Sequence, residues 1–129
     1  MPAPGAIVYD DLVKVDAHTA LRDYIDQGTG AGKLVLYSEA DAVLATFTLA
    51  DPCGTVNGTT GQLTFSAVSS VNGSTSGDCT WGRFVDSDDN RAFDMPVQEG
   101  SSAVSGYIVM NTASIVSGEP VNFISCVIG

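Results

Sequence analysis

The spacing of apolar residues changes once along the chain, from a helical period to a strand period. The helical part covers about 11–27, where an apolar stripe recurs every three or four residues and predicts one amphipathic helix. The stripe consists of Ala17, Ala20, Leu21, Tyr24 and Ile25. Asp10 or Asp11 can cap a long helix and Asp16 a shorter one, and Gly28 stands where a left-handed terminating residue belongs.

After Gly32, apolar and polar residues alternate in short segments, as they do in strands with one buried face. Segments rich in Gly, Asn, Asp and Ser separate them, and the segments 51–61 and 71–77 are predicted to be a turn region and a flexible loop. The predicted strands are 33–38, 42–49, 62–68, 78–85, 91–97, 106–110 and 121–128. Pro96 has no N–H, so its strand is expected to end there or to lie at a sheet edge.

The alternation also predicts which side chains face the core. In the segment 62–68 these are Leu63, Phe65 and Ala67, and in 42–49 one face carries Val43, Ala45, Phe47 and Leu49 and the other carries Leu44, Thr46 and Thr48. One helix followed by about seven or eight strands predicts a mainly β fold. We expect an antiparallel, jelly-roll-like β-sandwich with one N-terminal α-helix.

Residues 1–9 are predicted to form an N-terminal arm in front of a single domain over 10–129. The arm combines prolines and a glycine, which oppose regular structure, with an apolar end. We expect it to contact a neighbouring subunit, for example by adding a strand to a sheet edge. The candidate interface residues are Met1, Pro2, Ala3, Pro4, Gly5, Ile7, Val8 and Tyr9. The arm has neither the charged nor the long apolar region of a secretory signal, so a cytoplasmic product is expected.

Composition narrows the possible partners. The 129 residues are 44% hydrophobic, which argues for a packed domain and against disorder. Fifteen acidic residues against five scattered Lys and Arg give a net charge of −10, which argues against nucleic-acid and anionic-membrane partners. Cys53, Cys79 and Cys126 are too widely spaced for a metal pair, and we expect them to be reduced.

The glycine-rich segment 28–34 (GTGAGKL) partly matches a phosphate-binding loop. That loop requires glycine where Gln27 stands and Ser or Thr where Leu34 stands, and it must open a helix. Here the glycines follow the predicted helix and precede a strand. We therefore expect a helix-to-strand connector and no cofactor.

Asp86, Asp88 and Asn90 resemble the opening of a calcium loop, but Arg91 and Val97 occupy the positions that need Gly and Glu. A polar hairpin turn without a metal is expected. His18, the one histidine, lies off the apolar stripe and is expected to be solvated.

No catalytic residue is predicted, although a carboxylate pair among the acids stays open. Four aromatic residues, namely Phe65, Trp81, Phe84 and Tyr107, could form a carbohydrate-stacking face, but their place in strands favours core packing for most of them.

The order of several segments resembles a group of small structural proteins of tailed bacteriophages. These segments are YIDQGTGAGKLVLY, LATFTLADP, GQLTF, WGRFVDSDDN and MNTASIVSGEPVNFISCVIG, and together they span about 20–128. The group's closing pattern is S-I-x-x-G-x-x-V-x-I-x-x-F-x-I-x, from which this chain departs at Phe123 and Cys126.

The resemblance implies a virion component, foremost a head decoration (cement) protein on the capsid exterior, made in the host cytoplasm. Its implied partners are the major capsid protein and further copies of itself, as a dimer or trimer. A tail or head–tail junction protein is the alternative within this class. A carbohydrate- or host-surface-binding module that uses the loop 71–77 is the alternative from another class.

Overall fold

The computed structural model of the protein describes residues 10–129. It is mainly β, with one N-terminal helix and a curled mixed sheet, which confirms the predicted fold class. The predicted arm, with its interface residues Met1 to Gly5 and Ile7 to Tyr9, lies outside the described residues.

The described chain forms one helix and eleven strands. The long strands match the predicted ones, and the additional strands have only two or three residues, too few for a visible alternation. The elements are α1 (Asp11–Asp26), β1 (Lys33–Ser38), β2 (Val43–Thr48), β3 (Gly54–Val56), β4 (Leu63–Phe65), β5 (Val71–Asn72), β6 (Gly77–Val85), β7 (Arg91–Glu99), β8 (Ile108–Met110), β9 (Ser114–Ile115), β10 (Pro120–Val121) and β11 (Phe123–Ile128).

The principal sheet has the order β2-β1-β6-β7-β8-β11-β4-β3, with β9 paired to the start of β6. A separate two-stranded ribbon joins β5 and β10. The sheet curls so that its two halves face each other. A Cβ added at Gly82 in β6 would lie 2.7 Å from Cδ1 of Ile108 in β8, so β8 packs over the inner side of β6. The resulting sandwich-like arrangement encloses one apolar core.

The core is built from the inward-facing residues of the long strands. Leu34, Leu36, Phe47, Phe84 and Ile108 are completely buried there. Phe65 stacks on Phe84 with ring centres 4.5 Å apart, and Phe93 packs beside both. Helix α1 adds Ile25 to this cluster and contacts β3, β4 and β7.

Helix α1 begins as predicted at the Asp10 cap, whose carboxylate accepts a hydrogen bond from the Leu12 N–H. It ends at Gln27, and Gly28 follows with a φ of +100°, a conformation that favours glycine. The glycine-rich segment therefore connects a helix to a strand, as predicted.

Two expectations about individual strands are corrected. Strand β7 neither ends at Pro96 nor lies at an edge; instead it changes partner there. It pairs antiparallel with β6 up to Pro96 and parallel with β8 from Val97. The parallel pair covers only three residues of each strand, so the short connection 100–107 suffices. Ala67, predicted to face the core, is exposed because β4 ends at Phe65.

Candidate functional site

The outward side of strands β2, β1, β6 and β7 carries aromatic and apolar residues, and we call it the outer face. Strand register places Val43, Tyr37, Trp81 and Pro96 in one row across the four strands. The neighbouring row consists of Thr46, Val35, Arg83 and Asp94. Residues on the opposite side of these strands, such as Leu36 and Phe84, belong to the core.

A bulge in β2 places Val43 in the first row. Leu36 pairs with Ala45 and Tyr37 pairs with Val43, so Leu44 is an extra residue between them. Leu44 turns into the core, and Val43 is left 43% exposed. The Leu44 carbonyl accepts hydrogen bonds from Ser74 N at 2.8 Å and Ser74 Oγ at 3.1 Å. The prediction that Val43 shares a face with Ala45 and Phe47 was therefore wrong, because strict alternation cannot anticipate a bulge.

Trp81 and Tyr37 form a fixed aromatic pair at the centre of the outer face. Their rings are stacked with centres 4.3 Å apart and planes 10° from parallel. The Trp81 indole N–H donates to the Ser38 carbonyl at 3.2 Å, which satisfies its only donor and sets its orientation. Both side chains are half-buried, so each ring keeps surface open to solvent.

An ion pair borders the aromatic pair. The Arg83 guanidinium lies 5.1 Å from the Trp81 ring centre and 5.7 Å from that of Tyr37. It donates to both oxygens of Asp94, at 2.8 Å and 3.3 Å, and Arg91 approaches the same carboxylate at 3.6 Å. The hydrogen bond that Arg83 donates to Asp94 raises the pKa of Arg83, so the guanidinium stays charged. Two cations thus flank the Asp94 carboxylate, and Asp41 also lies close enough to act on Arg83, so the two positive and two negative charges balance here.

A shallow hollow of about 350 Å³ opens on the outer face. It is lined by Thr80, Trp81, Asp94, Met95 and Pro96, and we call it the Trp81 hollow. An aromatic ring and a proline ring form apolar walls, while a hydroxyl and a carboxylate stand at the rim. Such a lining suits an apolar or amphipathic group that stacks and accepts few hydrogen bonds.

The aromatic prediction was therefore correct for two of its residues. Phe65 and Phe84 are 5% and 0% exposed and belong to the core. Trp81 instead lies on the outer face, and Tyr107 is 38% exposed in the loop before β8. Tyr37, which sequence reasoning did not single out, completes the site. The available signal was that Tyr37 alternates with Leu34 and Leu36, so it lies on the side of β1 that faces away from them.

The turn between β6 and β7 is rich in aspartate and is bonded to the end of helix α1 through Asp86. Asp86 is 1% exposed, and its carboxylate accepts hydrogen bonds from Asp88 N, Asn90 N, Asn90 Nδ2 and Gln27 Nε2 at 2.8–3.0 Å. Burial by itself would raise the pKa of Asp86, but these four donors outweigh it and lower the pKa to about 2. Its oxygens are occupied by protein donors, which fits the predicted hairpin turn.

His18 is not the solvated side chain that was expected. It is half-buried, and its Nδ1 lies 2.5 Å from the Gly61 carbonyl oxygen. A carbonyl only accepts, so Nδ1 carries the hydrogen and donates it. The imidazole thereby joins α1 to the turn between β3 and β4, a structural role.

The three cysteines are free and buried, as expected for reduced thiols. Burial raises the pKa of Cys53 and Cys126 to about 12 and that of Cys79 to about 11. At neutral pH they are protonated and poor nucleophiles. Cys126 instead packs with its sulfur 3.5 Å from that of Met95.

The predicted flexible loop 71–77 is tied down at several points. Val71 and Asn72 form β5, and the Gly73 N–H bonds to the Glu119 carbonyl at 2.9 Å. Ser76 Oγ accepts from Ser117 N at 2.9 Å. The loop is therefore more fixed than predicted, while Ser74, Thr75 and Ser76 remain exposed.

Within residues 10–129, no group of three or more His, Cys, Asp or Glu side chains is arranged to hold a metal ion. Helix α1, the one helix in that range, has neither the length nor the apolarity to span a bilayer.

Comparison of the chain with models of protein families, with curated proteins and with solved structures gives no match. The fold and the outer face are therefore interpreted from this protein's own residues.

Proposed function

We propose that the protein is a structural component of a tailed-bacteriophage particle, foremost a decoration protein on the capsid exterior. It would be made in the host cytoplasm and would bind the major capsid protein and further copies of itself. The sequence resemblance suggests the particle. The outer face, with Val43, Tyr37, Trp81 and Pro96 in one row, is the observation that supports a contact function.

An antiparallel sheet that faces water on one side normally carries polar residues there. The outer face breaks this pattern with an aromatic pair and three further apolar residues, Val35, Val43 and Pro96. Aromatic and arginine side chains at the centre of a patch, surrounded by polar groups, are typical of protein interfaces. The Arg83–Asp94 pair is partly exposed and contributes no more than about 1 kcal/mol to folding. The composition of this face is thus better explained by binding than by folding stability.

The charge of the protein suits assembly on a lattice. At −10, free copies repel one another and remain apart until a specific contact overrides the repulsion. Many modest contacts repeated over a shell then stabilise the shell, because each bound copy favours the state to which it binds.

Binding to emptied, expanded heads of the phage that encodes the chain tests this function. We expect the purified full chain to sediment with the heads in tens to hundreds of copies and to raise their resistance to heat. Trp81→Ser removes the central ring and should weaken binding by about tenfold or more.

Tyr24→Ser is the control, because Tyr24 is an exposed aromatic residue that lies on helix α1 and not on the outer face. Equal binding by wild type and Tyr24→Ser, with loss in Trp81→Ser, supports the outer face as the contact. Failure of the wild-type chain to bind the heads would contradict the decoration function. Saturation at a few copies would favour the tail or head–tail junction alternative.

A carbohydrate-binding module is the second candidate, favoured by the Trp81 hollow. A sugar ring could stack on Trp81 while its hydroxyls bond with Thr80 and Asp94. A glycan array probed with wild type and Trp81→Ser tests this candidate. Binding of one glycan class that depends on Trp81 would favour it over decoration.

A further inference from the structure

We propose that the Trp81 hollow receives the proline-containing arm of a second copy of this chain, namely Met1-Pro2-Ala3-Pro4-Gly5. Copies would thereby link by exchange of arms. The inference deepens the proposed structural function, but it concerns the isolated protein and needs no capsid.

The lining of the hollow matches a proline-rich segment. Aromatic-lined hollows recognise extended proline segments, whose rings stack on the aromatic surface and whose conformation is already restricted before binding. Trp81 and Pro96 are cross-strand partners and form the apolar walls. Trp81 is fixed by its stack on Tyr37 and its bond to Ser38, so little side-chain freedom is lost on binding.

The arm carries no charged side chain, and its two prolines within five residues distinguish it from other uncharged stretches such as 52–77 and 100–118. All fifteen acidic residues lie between Asp10 and Glu119, whereas residues 1–9 carry no charged side chain. The arm can therefore approach another copy without adding to the repulsion between the two domains. At the hollow, the charges of Arg83 and Arg91 balance those of Asp94 and the nearby Asp41, so no net negative charge opposes the approach.

The place where α1 begins favours binding of the arm to the Trp81 hollow of a second copy over binding to the hollow of the same copy. Asp10 caps the start of α1, where Lys14 and Val15 lie against Gly61, and α1 packs on the core side of the sheet. The hollow lies on the opposite side of the sheet. Nine residues reach at most about 30 Å, so an arm to its own hollow would have to turn round the sheet edge. A neighbouring copy can present its hollow directly, and reciprocal exchange closes a symmetric dimer or ring.

The experiment combines the oligomeric state of the full chain with the fluorescence of Trp81, the one tryptophan. Wild type should associate with rising concentration, and acrylamide quenching of Trp81 should fall as it does so. The double variant Pro2→Gly/Pro4→Gly should weaken association by about tenfold or more and leave Trp81 equally quenched at all concentrations. The synthetic peptide Met-Pro-Ala-Pro-Gly-Ala-Ile-Val-Tyr should restore protection of Trp81 in that variant.

Thr80→Gln narrows the hollow from its exposed rim without touching the aromatic stack. It should weaken association as much as the proline variant does. Combining the two changes should add little further loss if they act on one contact. Tyr24→Ser on α1 is the control and should associate like wild type.

Three results would overturn the proposal. A wild-type chain that stays monomeric at all concentrations excludes the exchange. If acrylamide then quenches Trp81 more strongly in the proline variant than in wild type, the arm covers the Trp81 hollow of the same copy. Association lost in Tyr24→Ser but kept in Thr80→Gln places the contact on the helix. If the losses of association free energy from Thr80→Gln and from Pro2→Gly/Pro4→Gly are fully additive in the combined variant, the arm and the hollow belong to separate contacts. If association fails but head binding persists, the arm inference is wrong while the proposed function stands.

Discussion

At the scale of single residues, environment rather than residue type decides what each polar side chain does. Asp86 belongs to a run of aspartates that resembles a cation loop, yet its two oxygens bind four protein donors. His18 is the one imidazole, yet it serves as a donor to a backbone carbonyl. The role of His18 depends on Gly61, which is far away in sequence, whereas Asp86 has three donors from Asp88 and Asn90 and one from the distant Gln27. Local sequence patterns could therefore indicate the turn at Asp86 but not the contacts with Gln27 and Gly61.

Asp86 should make stability depend on acid pH. Its pKa falls from 3.8 to about 2 on folding, so the folded state favours the ionised carboxylate. That contribution is present above the unfolded pKa and is lost as pH falls through the folded value. Asp86→Asn should therefore lower the thermal midpoint near neutral pH, and its deficit relative to wild type should shrink between about pH 4 and pH 2.

Thermal unfolding followed by circular dichroism across that pH range measures the deficit. Asp88→Asn, in the same turn, alters an exposed carboxylate and controls for the change in net charge. A constant deficit for Asp86→Asn at every pH would show that the hydrogen-bonded carboxylate is not what couples stability to pH.

At the scale of elements, the residues themselves indicate most of the architecture. The Asp10 cap, the Gly28 stop and the long strands follow from capping chemistry and alternation. The face of α1 was harder to predict, because Ala17, Ala20 and Tyr24 are exposed while His18 is half-buried. Small alanines contribute little burial, so the large Leu21 and Ile25 determine which side of the helix packs.

The connector between α1 and β1 should tolerate no side chain at its last glycine. A Cβ at Gly32 would lie 2.5 Å from Cγ2 of Ile25 and 2.7 Å from the Val85 carbonyl oxygen. The backbone atom cannot move away without disturbing β6, so Gly32→Ala should cost about 1–3 kcal/mol of unfolding free energy.

Chemical denaturation measures that cost. Gly58→Ala is the matched control, since a Cβ there meets nothing within 4 Å, and it should change stability by less than about 0.5 kcal/mol. Equal stabilities of the two variants would mean that the connector is not packed as tightly as these distances imply.

At the scale of the whole molecule, curling and the outer face are the features that sequence alone could not supply. Alternation indicates that strands have two faces, but not that Ile108 packs over Gly82. The bulge at Leu44 depends on Ser74, thirty residues away, so the outward position of Val43 follows only from the folded chain. Trp81 and Tyr37 become a site because β1 and β6 are neighbours, a pairing that skips four intervening strands.

The most direct test of the central claim is cryo-microscopy of the particle that contains this protein. We expect many copies on the capsid exterior, each with the side of the sheet that carries Tyr37 and Trp81 covered by capsid protein or by a neighbouring copy. A particle in which that side faces solvent in every copy, or one that holds the protein only at the tail, would contradict the claim.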